Sequence, residues 1–143
     1  MSMKSSDPRV QGIVDAFEQL APADVARLGT WYHEDACFKD PFNEVVGLAA
    51  IQRIFAHMFE RLEAPRFVIR DTLVQGDACF LSWDFSFGSG PRRITVRGAS
   101  HLVFGADGRV ARHRDYWDAA EELYEKLPLL GALMRWLRRR VKR

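Results

Sequence analysis

The chain has 143 residues, 48% hydrophobic and 28% charged, the length and composition of one globular domain rather than of a disordered segment. Its net charge of +2 hides an imbalance: residues 135–143 hold six Lys and Arg and no acid, which leaves 15 basic against 19 acidic side chains in residues 1–134. A mildly acidic body disfavours nucleic acid as a partner. No apolar run approaches the ~18 residues of a membrane span, and the isolated Cys37 and Cys79 define neither a zinc site nor a disulfide framework.

In chain order, the polar stretch from Met1 to Gln11 has no hydrophobic signal core, so a cytoplasmic location is expected. Asp7-Pro8 reads as a helix start, with Val10, Ile13, Val14, Phe17 and Leu20 at helical spacing. Ala21-Pro22 ends that helix. Asp24 to His33 reads as a second short helix with Val25, Leu28, Trp31 and Tyr32 on its apolar side. Cys37 to Asp40 is a short extended piece, and Asp40-Pro41 a turn. Gly47 precedes a third helix, Leu48 to Leu62, whose stripe is Ile51, Ile54, Phe55, Met58, Phe59 and Leu62.

After Pro65 the period changes from helical to alternating. Phe67 to Val74 is one expected strand, and Ala78 to Phe87 a second, with Cys79, Leu81, Trp83, Phe85 and Phe87 on one face. Arg92 to Phe104 is a third. The Asp107-Gly108 hairpin signal then leads into a fourth, Arg109 to Trp117. Asp118 caps a helix from Ala119 to Lys126. Pro128 breaks the chain, and residues 129–143 form a basic amphipathic helix with Leu130, Leu133, Leu137 and Val141 as its stripe. Three helices packed on one antiparallel meander make an α+β domain. The division is a domain over 1–128 and a tail over 129–143. A long, bent sheet wrapped round a helix encloses a cone that can hold a ligand.

The run from Trp31 to Phe42 (WYHEDACFKDPF) is followed by Gly47, Ala50 and Ile51 opening the third helix. Downstream come Asp107-Gly108-Arg109-Val110 and His113-Arg114-Asp115-Tyr116-Trp117-Asp118. In this order and spacing the chain, over residues 8–126, resembles the nuclear transport factor 2-like superfamily, particularly its ketosteroid isomerase and SnoaL-like branches. The resemblance implies the cone-shaped, cystatin-like α+β fold. Function does not follow from it alone, because the fold hosts isomerases, cyclases, epoxide hydrolases, dehydratases and non-enzymatic domains.

The resemblance implies that Asp40 stands where ketosteroid isomerases carry their general base; the alternative is that Asp40 only shapes its Asp-Pro turn. The same resemblance puts Phe17 and Ser100 where that family keeps its oxyanion donors. Phe17 has no donor and Ser100 only a weak one, so isomerase activity on steroids is not expected. SnoaL-like cyclases place an acid/base aspartate where Asp115 falls. Strand alternation puts His113, Asp115 and Trp117 on one face and Arg112, Arg114 and Tyr116 on the other. If the first set faces inward, Asp115 pairs with Asp40 across one cavity and His113 tunes it. The alternative is a surface salt bridge to Arg97 or Arg112.

Trp31, Tyr32, Phe42, Phe55, Phe59, Trp83 and Phe85, together with Phe17, Ser100 and Trp117, are expected to line an apolar pocket, or else simply to be core. His57 falls off the helical stripe, and His101 points to the outer sheet face with Arg93, Thr95, Arg97, Ala99 and Val103, which is polar enough to face water or a wet dimer interface; the resemblance implies that this face carries a homodimer contact. No metal spacing and no phosphate loop appear, so neither metal nor cofactor is expected. Three functions remain open. One is a cofactor-free isomerase, cyclase or hydrolase for an apolar substrate, using Asp40 and Asp115. The second is a binding module for an apolar ligand or lipid, its tail touching a membrane surface, its own domain or a dimer partner. The third is a dimeric accessory protein with no small ligand.

Overall fold

The computed structural model describes residues 4–122 together with Trp136 and Arg139. Asp7 caps α1 (Pro8–Glu18) by accepting the Arg9 backbone N–H at 2.9 Å, and Pro8 sits in the first turn, where its missing N–H costs nothing. The Arg9 guanidinium also holds the Asp7 carboxyl below its usual range. Val10, Ile13, Val14 and Phe17 are the buried face of α1.

The expected second helix is a 3-10 helix, Pro22–Thr30, and it stops three residues early. Tyr32 opens strand β1 (Tyr32–Lys39), in which Tyr32, Ala36 and Phe38 are buried. The side-chain pattern of 24–33 suits a helix, but pairing of Tyr32 with the distant Val110 wins. The Trp31 carbonyl accepts the Val110 N–H at 2.7 Å. A short β2 (Glu44–Val46) follows, then α2 (Leu48–Arg61), β3 (Glu63–Gln75), β4 (Ala78–Ser89), β5 (Arg92–Phe104), β6 (Val110–Tyr116) and α3 (Ala119–Glu122). The rest of the helix expected to Lys126, and the tail helix over 129–143, lie outside the described residues apart from Trp136 and Arg139.

The sheet has six strands in the order β2-β1-β6-β5-β4-β3, not four, and β1 runs parallel to β6. The meander from β3 to β6 is antiparallel throughout, as expected from its turn signals. β3 starts earlier than its alternation suggests. Ala64 has φ +46° and Pro65 follows it, so the register shifts between Glu63 and Arg66 and the pattern reads cleanly only from Phe67.

The long β3–β5 strands curve over α2, and Ile51 and Phe55 of α2 are buried with the inner sheet residues Ile69, Leu81, Trp83, Val96 and Leu102. Among the described residues no helix is long and apolar enough to cross a membrane. Cys37 is exposed, whereas burial in the core pushes the Cys79 thiol up to about 11. In the native protein at pH 8 a disulfide-exchange reagent is therefore expected to titrate one thiol quickly and the second only in denaturant. Equal rates at both cysteines would contradict the packing around Cys79.

Candidate active site

Between α2 and the inner face of the sheet lies a cavity of about 430 Å³. Its walls are aromatic: Phe17 of α1 and Phe55 of α2 meet Phe67 and Phe85 of β3 and β4. Phe42 and Trp117 form an edge-on pair at 5.5 Å, both outside regular elements. A second, shallower hollow lies beside Asp40, Asp115 and Trp117, which are shared by both.

Of the residues expected to line a pocket, Phe17, Phe42, Phe55, Trp83, Phe85, Ser100 and Trp117 do so. Trp31, Tyr32 and Phe59 do not. Trp31 ends the 3-10 helix and Tyr32 enters β1, so neither is on the helical face that would have carried it inward. Phe59 is half-buried on α2 but is not part of the cavity wall. Sequence reasoning missed Phe38, Phe67, His57, Met58 and Arg61 as wall residues. The α2 members Ile54, Met58 and Arg61 follow one helical row, a usable signal. Phe38 needed the parallel pairing of β1, which no local pattern reveals.

A one-way chain of hydrogen bonds crosses the polar end of the cavity. Its first member, Tyr32, is fully buried; burial and the negative charge of Asp115 hold its hydroxyl well above the ordinary phenol range, so it stays protonated and donates. It donates to His113 Nδ1 at 2.7 Å. That leaves the imidazole hydrogen on Nε2, which donates to Asp115 Oδ1 at 2.6 Å. From the other side Trp83 Nε1 donates to Ser100 Oγ at 2.8 Å, and the Ser100 hydroxyl donates to the same Asp115 Oδ1 at 2.5 Å.

Four elements supply this chain. His113 and Asp115 alternate inward on β6, Ser100 is the register partner of Asp115 on β5, Trp83 lies on β4 and Tyr32 on β1. His113 is clamped between rings, with Phe38 at 4.7 Å and Tyr32 stacked at 9°. Every buried side-chain polar atom among the described residues has a partner. The surface salt bridge considered for Asp115 is absent: Arg97 instead holds Glu122 at 2.8 Å, and Arg112 has no ion pair with Asp115.

Two donors thus fix Oδ1, while Oδ2 of Asp115 has no donor among the described residues. The side chain is 17% exposed, within the wall of an apolar cavity. A carboxylate in that setting keeps one oxygen whose lone pairs no donor among the described residues takes up.

Asp40 also lines the cavity, at its rim, but its Oδ1 is occupied within its own turn. It accepts the backbone N–H groups of Phe42 at 2.8 Å and Asn43 at 2.6 Å, and Asn43 Nδ2 at 3.2 Å reaches both oxygens. The Asp-Pro turn is therefore built around the Asp40 carboxylate. Among the described residues no group of three or more His, Cys, Asp and Glu converges in a way that would hold a metal ion.

Residues 11–113 match the family model of the SnoaL-like domain. Solved structures share the fold at low identity. One is a protein of ketosteroid isomerase-like fold from Catenulispora acidiphila, in complex with trimethylamine, at TM-score 0.70 and 19% identity, covering 83% of this chain and 92% of that one. An epoxide hydrolase of M. tuberculosis resembling the LEH type aligns at TM-score 0.65 and 18% identity, over 80% and 83% of the two chains. A Jannaschia protein assigned to the SnoaL-like polyketide cyclases aligns at TM-score 0.68 and 15% identity, over 82% and 92%. No curated protein sequence matches significantly.

Proposed function

This chain belongs to the SnoaL-like domain family, and we propose that it is a cofactor-free acid–base catalyst of the isomerase or cyclase type, moving a proton on an apolar, carbonyl-bearing molecule. The observation that carries this reading is Asp115 in the wall of an aromatic cavity, with Oδ1 fixed by Ser100 and His113 and no donor to Oδ2 among the described residues. In this reading Oδ2 takes a proton from the carbon beside the carbonyl and returns it to another carbon of the same molecule. The electron pair of the broken C–H bond moves onto the carbonyl oxygen and back. The same first step serves double-bond isomerisation and ring closure through the carbanion.

His113 is a positioning residue: its Nε2–H steadies the ionised carboxylate, and Tyr32 fixes its tautomer. Ser100 gives its hydrogen to Asp115 and so is not available to the substrate carbonyl. Asp40 shapes the turn that carries Phe42 and Asn43 to the cavity mouth. A volume of about 430 Å³ suits a ligand of two or three fused rings.

The test is solvent exchange: 2-tetralone in deuterated buffer is expected to gain deuterium beside its carbonyl faster with the protein than with buffer alone. Binding of 2-tetralone without any added exchange would replace catalysis by the reading of a non-catalytic module for an apolar ligand.

For the partner, the reading is a homodimer through the outer sheet face. Leu73 and Phe80 are register partners there, 71% and 46% exposed, and His101 stacks on Phe80 at 4.4 Å. Sedimentation equilibrium is expected to give twice the chain mass, falling to one chain mass for Phe80→Lys. A monomer in the unsubstituted protein would remove this contact.

A further inference from the structure

We propose that Arg61 and His57 form a subsite at the cavity mouth for an anionic oxygen group, a carboxylate or ionised enol, on an otherwise apolar ligand. The proposal rests on the reading that the cavity binds such a molecule, and it adds which end of the ligand is charged.

Arg61 and His57 stand four residues apart on α2, so their side chains share one face of the helix. Both line the cavity, and both are exposed, which places them at its opening rather than in its depth. Met58 and Leu62 beside them present apolar surface to the interior. Arg61 is the wall residue with a permanent positive charge.

Arg9, Arg27, Arg70, Arg97 and Arg109 each reach a carboxylate at 2.6–2.8 Å. Among the described residues Arg61 and His57 have no ion-pair or hydrogen-bond partner. A planar fork of donors beside a second ring donor matches the two oxygens of a carboxylate. The apolar body of the same ligand then lies against Met58, Leu62 and the rings beyond.

Calorimetric titration with 2-naphthoate and with 2-naphthamide, equal in shape and different in charge, tests this. The intact protein is expected to bind 2-naphthoate about tenfold more tightly than the amide. Arg61→Gln is expected to abolish that preference by weakening 2-naphthoate alone, and Arg61→Lys to restore part of it. Equal binding of the two probes, or a preference unchanged by Arg61→Gln, would overturn the subsite while leaving the cavity reading in place. Failure of both probes to bind the intact protein would overturn the subsite and the cavity reading together.

Discussion

Asp115→Asn is expected to lower the deuterium exchange of 2-tetralone by about 10³-fold, in the range that a single positioned general base contributes. The amide has the shape of the carboxylate, and its oxygen can still accept from Ser100 and His113 as Oδ1 does now at 2.5 and 2.6 Å. The scaffold of the chain is therefore kept. What is lost is a base at the Oδ2 position, where an amide nitrogen has hydrogens to give and no pair to take a proton. Binding of 2-tetralone is expected to change less than threefold, so the loss falls on the chemical step. Exchange within tenfold of the unsubstituted protein would remove Asp115 from the role of base.

Gly98→Ala is expected to cost about 2–4 kcal/mol of stability, the sum of overpacking and a lost buried hydrogen bond. Gly98 is the register partner of Trp83, and the six-membered ring of the indole lies against it. A Cβ there would meet the Trp83 ring at Cζ2 2.7 Å away and at Cζ3 2.9 Å away, with Cη2 nearer still. The ring is packed against Phe67 at 5.8 Å and tied to Ser100 at 2.8 Å, so it cannot move alone. Displacing it opens the Trp83–Ser100 link and drives the indole into the cavity. The expected fall in Tm is about 10 °C for a domain of this size. Gly12 provides the contrast: it lies within α1, and a methyl group added there would have no neighbour within 4 Å, so Gly12→Ala is expected to stabilise by about 0.5–1 kcal/mol. Thermal unfolding of the two variants reads both signs, and a neutral Gly98→Ala would contradict the placement of the indole.

The parts of the fold written in local pattern were legible in the sequence. The alternation of β4 and β5, the Asp107-Gly108 turn and the apolar row of α2 each depend on residues a few positions apart. On β6 alternation alone groups His113 with Asp115 and opposes Arg114, but which group faces inward follows only from the packing of the sheet on the helices. Tyr32 was not legible. Its neighbours Val25, Leu28 and Trp31 continue a helical row, and only the pairing of β1 with β6 draws it into a strand. Its partner His113 is 81 positions away, so the buried end of the hydrogen-bond chain is a product of tertiary structure. Asp40 shows the opposite case. Its turn chemistry was visible locally, and the two backbone donors of the turn, Phe42 and Asn43, both go to its Oδ1.

The central claim is that the open oxygen of Asp115 meets the substrate inside the aromatic cavity. A crystal structure of the protein soaked with 2-tetralone tests it most directly. The prediction is an enolisable carbon about 3–3.5 Å from Asp115 Oδ2, the distance of a reacting pair, with the rings between Phe55 and Phe85. A ligand seated in the cavity with its enolisable carbons turned away from Asp115, or seated outside the cavity altogether, would contradict it.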